Sequence, residues 1–84
     1  MPAYEAVVHA VARQLLLGLR ESLTIAGQVG YSVEVVNVIL HRLQAECASC
    51  IVLTRPYASE PRVVVTVMGW EELKRAAGIS ERSQ

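Results

Sequence analysis

Hydrophobic side chains recur at helical spacing along the N-terminal part of the chain. Residues 3–20 place them three and four positions apart, so that they form a single stripe on a helix. The members of this stripe are Tyr4, Val7, Val8, Val11, Leu15 and Leu19. Alanines and Leu17 extend the apolar surface around the helix, which predicts burial on two sides. One side would face the protein's own core, and the other is a candidate dimer contact.

Two further helices are predicted in the middle of the chain. Residues 24–30 have the pattern of a short helix, with Thr24 as its N-cap and Gly30 at its C-terminal end. Ser32 is then the expected N-cap of a helix over residues 33–46. β-branched residues at the start of that segment leave a strand as the alternative. We favour the helix, because the hydrophobic spacing there is not two and the remainder is strongly helical.

The last part of the chain alternates between strand and helix signals. Residues 50–55 and 62–67 are rich in β-branched side chains, and the segment between them, PYASEP, carries two prolines that suit a turn. We therefore expect a hairpin with a six-residue tip. Residues 70–77 return to helix, with acidic residues first and basic residues last, as the helix dipole favours. The end of the chain, residues 79–84, is expected to fray.

The length indicates one small domain spanning all 84 residues, and the order of the predicted elements makes it α+β and mostly helical. Hydrophobic residues make up 52% of the chain, which is a large share for so small a domain. We interpret it as a sign of a partner surface, most simply a second copy, with an unusually apolar monomer as the alternative. Eight basic and eight acidic residues cancel, so the chain lacks the basic excess that nucleic-acid binders usually carry.

Cys47 and Cys50 form a single C-x-x-C pair. A zinc site needs four ligands, and neither His9 nor His41 has ligand spacing to this pair. A redox-active pair would begin a helix, whereas this one follows a predicted helix, where the dipole disfavours thiolates. We expect two structural small residues. A disulfide within or between chains is one alternative, and metal or redox chemistry is another.

The sequence predicts a cytoplasmic protein without catalytic activity, bound cofactor or metal. Residues 3–19 are apolar but contain charged side chains and lack a cleavage-site pattern. No apolar run reaches the roughly 18 residues of a membrane span. Both histidines lie on predicted helices without a neighbouring nucleophile or carboxylate constellation. Trp70 is interpreted as a core or interface anchor.

The order of the predicted elements resembles the winged-helix fold of the MarR family. The likeness covers residues 24–78, where the segment IAGQVGYSVEVVNVILHRLQAEC matches the helix-turn-helix pattern without a gap. Residues 60–62, EPR, are similar to the Asp-Pro-Arg of MarR-type wings. Residues 66–69, TVMG, are similar to the Thr-x-x-Gly by which the chain leaves the wing and enters the next helix. Two features depart from the family, because Cys47 replaces the glycine that ends the recognition helix and the long flanking dimerisation helices are absent.

The resemblance implies sequence-specific binding of double-stranded DNA and transcriptional regulation. The homodimer indicated by the apolar composition would pair through the first helix. The second helix of a helix-turn-helix lies in the major groove, which places Asn37 for an adenine and Ser32 for a phosphate. Arginines of the hairpin can enter the minor groove. The implied DNA contacts are Ser32, Asn37, His41 and Arg42 of the helix, with Arg55 and Arg62 of the hairpin.

Several side chains on the same helix weigh against a DNA contact. Val33, Val35 and Val38 occupy positions where relatives often carry polar or basic residues, and Glu34 would repel phosphate. The alternative interpretation is a winged helix that assembles with other proteins through these valines, in a transcription, replication or division complex. A third hypothesis is a thiol redox sensor that uses the two cysteines.

Overall fold

The computed structural model describes residues 4–78, and its elements follow the predicted order of helices and strands. They are α1 (Tyr4–Leu16), α2 (Ser22–Val29), α3 (Val33–Glu46), β1 (Ile51–Thr54), β2 (Val64–Val67) and α4 (Trp70–Ala76). The fold is α+β and mostly helical, as predicted, and its layout is compatible with a winged helix. The frayed tail predicted at residues 79–84 and the first residue of the predicted first helix lie outside the described residues.

α1 is shorter than the sequence pattern predicts, because Gly18 ends it. Gly18 has a φ of 108°, in the left-handed region, and the N–H of Leu19 donates back to the carbonyl of Gln14 at 3.1 Å. The guanidinium of Arg20 donates from Nη1 to the carbonyl oxygens of Leu15 at 2.7 Å and of Leu19 at 2.8 Å. These bonds add to the backbone bonds at this end, since the Leu15 carbonyl also accepts from the N–H of Gly18 at 3.1 Å. The helix therefore ends at Leu16, and Leu17 extends into solvent.

The apolar stripe of α1 is buried along most of its length. Val7, Val11 and Leu15 belong to the core, and Leu19 packs against it from the loop that follows the helix. Tyr4, in contrast, remains 43% exposed at the N-terminal end. The buried face contacts the other three helices, while the dimer contact predicted for the opposite face of α1 stays a prediction.

α2 begins earlier than predicted, because the backbone ahead of it pairs with the hairpin. Residues 20–22 run antiparallel to residues 63–65 through backbone hydrogen bonds of 2.8 and 2.9 Å. This pairing keeps the chain extended up to Glu21, which occupies the N-cap position, so the helix starts at Ser22. Thr24 lies inside the helix, and the prediction that it is the N-cap is wrong.

A tight turn joins α2 to α3 and sets the angle between them. Gly30 ends α2 as predicted, with a φ of 80° that lies in the left-handed region favoured by glycine. The predicted N-cap of α3 is confirmed, because the Ser32 hydroxyl accepts a hydrogen bond from the Val35 N–H at 3.3 Å. The predicted bounds of α3, 33–46, are also confirmed. The chain bends by 112° between the two helices, within the roughly 90–120° of helix-turn-helix motifs.

β1 and β2 form an antiparallel hairpin in which Ile51 pairs with Val67 and Thr54 pairs with Val64. Both strands are shorter than predicted, and the connecting loop is correspondingly longer, over residues 55–63. The two prolines of this loop have no N–H to donate to a ladder, so strand pairing stops before they are reached. The side chains of Arg55 and Arg62 close the loop instead.

The corner at which β2 is followed by α4 is hydrogen-bonded to the residue just before β1. The N–H groups of Met68 and Gly69 both donate to the carbonyl oxygen of Cys50, at 2.7 and 3.0 Å. A Cβ at Gly69 would lie 2.8 Å from the carbonyl oxygen of Ser49, so only glycine fits this close approach. The corner therefore joins β1, β2 and α4 at one point, and α4 begins directly after it at Trp70.

The core lies between the four helices and the inner face of the hairpin. Every helix and strand contributes at least one buried side chain, among them Leu15, Ile25, Leu40, Ile51, Val65 and Leu73. Val36, Ile39, Leu40 and Leu43 are the buried residues of α3. Because these side chains share one side of α3, the opposite side of that helix is left for contacts outside the domain.

Candidate interaction surface on α3

The face of α3 opposite the core is exposed and carries several of the predicted DNA contacts. Val35 and Val38 have 40% and 58% of their surface exposed, although both are apolar. Glu34, His41 and Arg42 are exposed on the same helix. The structure thus brings apolar and charged side chains together on the surface that a helix-turn-helix protein would present to DNA.

An apolar groove of about 350 Å³, here called the α1–α3 groove, lies between this face and the N-terminal end of α1. It is lined by Tyr4, Val7, Glu34, Val35, Val38 and Ile39. Glu34 is the charged member of this set, and the others present carbon surface. A concave apolar surface open to solvent is typical of a site that another molecule covers.

Three of the predicted DNA contacts on α3 already have partners within the chain. The Ser32 hydroxyl caps the helix, and Asn37 donates from Nδ2 to the carbonyl of Pro61 at 2.6 Å. Nδ1 of His41 lies 2.8 Å from the carbonyl oxygen of Asn37, and since a carbonyl only accepts, this nitrogen carries the proton. A bidentate contact to adenine needs both amide atoms. The Oδ1 of Asn37 is buried, so the residue would have to leave the hairpin loop to reach a base.

Arg42 stands beside the α1–α3 groove between two neighbours. Its Nη2 lies 3.7 Å from Oε2 of Glu46, and both side chains are more than half exposed. Its guanidinium carbon lies 5.2 Å from the centre of the ring of Tyr4, a residue that lines the groove. Exposed ion pairs of this i,i+4 type contribute little free energy, so Arg42 can exchange Glu46 for another carboxylate at small cost.

The two hairpin arginines are used to hold the hairpin loop together. Arg55 donates from Nε and Nη2 to the carbonyl of Glu60, at 3.2 and 2.8 Å, and from Nη2 to that of Ala58 at 3.1 Å. Arg62 forms ion pairs at 3.6 Å with Glu21 and with Glu60. These contacts close the loop and dock it at the N-terminal end of α2.

Sequence reasoning missed the residues that neutralise or flank the predicted DNA contacts. Tyr4 was assigned to the buried stripe of α1, yet it lines the groove and stacks under Arg42. Glu21 pairs with Arg62 from a distant part of the chain, and no local pattern signals such a contact. The alternation of Glu60 with Arg62 is a local signal that could have revealed the second ion pair.

Cys47 and Cys50 are joined by a disulfide within the chain. The two cysteines are therefore bonded to each other, whereas the sequence predicts two unbonded structural residues. A turn brings the sulfurs together, because the N–H of Cys50 donates to the carbonyl of Cys47 at 2.9 Å directly after α3 ends. Cys50 is fully buried, so the bond ties the end of α3 to the core at the start of β1.

Reduction of this disulfide is expected to lower the free energy of unfolding by about 2 kcal/mol, the loop-closure entropy of a four-residue loop. The measurement is denaturant unfolding of the wild-type chain with and without dithiothreitol. A Cys47→Ala/Cys50→Ala variant serves as the control, since its unfolding midpoint should not respond to the reductant. A wild-type midpoint that is equally insensitive would contradict the prediction.

Trp70 occupies the surface next to the strand-to-helix corner. It is 45% exposed, and the guanidinium carbon of Arg20 lies 5.6 Å from its ring centre. The prediction of a core position for Trp70 is therefore wrong, while that of an interface position stays a prediction. The cation–π contact links the N-terminal end of α4 to the loop after α1.

Residues 4–78 contain neither a single helix suited to crossing a membrane nor a cluster of metal-ligating side chains. No single helix among them is long and apolar enough to cross a membrane, and α2 with α3 meets that criterion only as a pair bent by 112°. No three His, Cys, Asp or Glu side chains within the same range are grouped so as to hold a metal ion.

The fold and its exposed third helix define a small α+β domain whose layout is compatible with a winged helix. The chain matches no protein-family model, no curated protein and no solved structure. The resemblance to MarR-type winged helices therefore rests on the sequence pattern of residues 24–78.

Proposed function

We propose that this chain is a winged-helix interaction module, whose α1–α3 groove binds apolar side chains of a protein partner. The observation that carries the proposal is the groove itself, because Val35 and Val38 are exposed at the positions where a DNA reader would carry polar or basic side chains. Covering such surface with a partner removes apolar area from water, which is the main driving force of protein association.

The electrostatics of the surface support a protein partner over a nucleic acid. Affinity for DNA comes largely from basic side chains that neutralise phosphates. Of the three arginines predicted to contact DNA, Arg42 faces Glu46, and Arg62 faces Glu21 and Glu60. Arg55 keeps its charge but directs its donors at carbonyls of its own loop. The chain as a whole adds no positive field, since its formal net charge is zero.

Duplex DNA binding by a homodimeric transcriptional regulator is the second candidate. The 112° bend between α2 and α3 and the short turn after Gly30 favour it, because this is the geometry that places a second helix in the major groove. Its arginine ion pairs are partly exposed and individually weak, so phosphates could replace the carboxylates. The proposed DNA contacts in this case are Ser32, Asn37, His41, Arg42, Arg55 and Arg62.

Photo-crosslinking from the groove separates the two candidates. We would place a photoreactive benzophenone amino acid at Val38, 58% exposed in the groove, and at Val52, 41% exposed on β1, as the matched control. Both variants are irradiated in extracts of the native cells. We expect protein adducts from position 38 and far fewer from position 52, because only the first lines the groove.

Two other results would change the assignment. Adducts from position 38 that are sensitive to nuclease would identify nucleic acid as the occupant and support the second candidate. Equal labelling from both positions, or none from position 38, would show that the groove is not an interaction site and would overturn the proposed function.

A further inference from the structure

The exposed face of α3 has a charge pattern that is complementary to itself. Val38 lies at its centre, with Glu34 four residues before it and Arg42 four residues after it. With a rise of about 1.5 Å per residue, the two charges stand about 6 Å on either side of Val38. A second copy of α3 laid antiparallel across Val38 therefore places each glutamate at the level of the other copy's arginine.

We propose that the occupant of the α1–α3 groove is a second copy of this chain, bound through antiparallel packing of the two α3 helices about a two-fold axis at Val38. The inference rests on the proposed function, because it names the partner of the same groove. Two-fold dimers are the commonest assemblies of soluble proteins and require a surface that fits itself. Opposite charges at equal distances from an apolar centre meet that requirement.

The central contacts of this dimer are apolar. Val38 of each copy meets Val38 of the other, and the side chains that line the groove beside it, Tyr4 and Val35, lose their exposure to water. Helices that pack through apolar contacts lie about 8–10 Å apart between their axes. At that distance, side chains at the same level along the two helices can touch each other. The 52% share of hydrophobic residues in so short a chain is in keeping with a surface that a second copy covers.

The outer contacts are the two ion pairs between Glu34 and Arg42 of opposite copies. Arg42 is available for this because its present partner, Glu46, is an exposed neighbour at 3.7 Å on the same helix. Tyr4 supports the arginine from α1, with its ring centre 5.2 Å from the guanidinium carbon. The proposed interface thus uses the N-terminal end of α1 together with α3. It differs from pairing through α1 alone, and it covers the helix face that DNA would need.

Charge reversal at these two positions tests the pairing directly. Glu34→Arg places two arginines together at each end of the dimer, and Arg42→Glu places two glutamates together. Each variant alone should dimerise at least about 10-fold more weakly than the wild type, because like charges meet across the interface. An equimolar mixture of the two variants should recover the dimer, since each then faces the opposite charge. The measurement is analytical ultracentrifugation of the full chain, with circular dichroism to verify that each variant is folded.

A second pair of variants tests the apolar centre. Val38→Glu should abolish the dimer, whereas Val52→Glu, at an exposed valine on the hairpin, should leave the dimer intact. Any of three results would overturn the proposal. The first is a wild-type chain that stays monomeric up to about 100 μM, a concentration at which even weak specific dimers assemble. The second is a mixture of the two charge variants that fails to recover the dimer, and the third is equal effects of the two valine substitutions. Protein adducts from position 38 together with a monomeric wild type would keep the proposed function and assign the groove to a different protein.

Discussion

Replacing Leu40 with alanine is expected to lower the free energy of unfolding by about 2–5 kcal/mol. Leu40 is fully buried on the inner face of α3, so the substitution removes apolar contacts and leaves a cavity that the surrounding helices fill only in part. A domain of 84 residues has a total stability of roughly 4–13 kcal/mol. The variant should therefore lose a large part of its stability, and urea unfolding followed by circular dichroism measures the loss.

Val38→Ala is the matched control, because Val38 lies on the opposite face of the same helix and is 58% exposed. Its free energy of unfolding should change by less than about 0.5 kcal/mol, as for most surface substitutions. Both variants are compared at low protein concentration, so that self-association does not add to the measured stability. Equal losses at the two positions would mean that α3 does not present its faces to core and solvent as described.

Replacing Ser22 with alanine is expected to lower the free energy of unfolding by about 1–3 kcal/mol. The Ser22 hydroxyl is fully buried and accepts a hydrogen bond from the Val63 N–H at 2.9 Å. Removal of the hydroxyl leaves a buried donor without its acceptor, while the small volume change adds little. The chemical shift and exchange rate of the Val63 amide, measured by NMR, should both change, because that amide loses its partner.

Thr24→Ala is the control for this prediction. Thr24 is exposed inside α2, so its loss should change the free energy of unfolding by less than about 0.5 kcal/mol. The comparison also tests where the helix begins, since a threonine at an N-cap would cost about 1 kcal/mol on conversion to alanine. A larger loss at Thr24 than at Ser22 would restore the start of α2 that the sequence pattern predicted.

The features that sequence reasoning predicted correctly are those set by local interactions. The bounds of α3, its Ser32 cap and the glycine that ends α2 all depend on residues within one or two turns of each other. Hydrophobic spacing and capping chemistry report such interactions directly. The order of helices and strands could be predicted for the same reason.

The features that it missed depend on contacts between distant segments. The early start of α2 follows from pairing of residues 20–22 with the hairpin, and the docking of Arg62 at the N-terminal end of α2 follows from its ion pair with Glu21. Neither propensity nor periodicity encodes these interactions, because each depends on how the helices and the hairpin meet in space.

The candidate surface was predicted in part. The sequence predicts that Val33, Val35 and Val38 form a poor surface for DNA. Val35 and Val38 do lie exposed, whereas Val33 is half-buried. The groove that the two exposed valines form with Tyr4 could not be predicted, because the stripe pattern of α1 assigned that tyrosine to the interior. The partners of the predicted DNA contacts likewise became visible only in three dimensions.

The pairing of the loop after α1 with β2 has a consequence for the order of folding. The hydrogen bond between Ser22 and Val63 spans 41 residues, whereas the α2–α3 turn and the hairpin register form over short stretches of chain. Closing a long loop costs more entropy than closing a short one. We therefore expect the α2–α3 pair and the hairpin to form before they dock through residues 20–22.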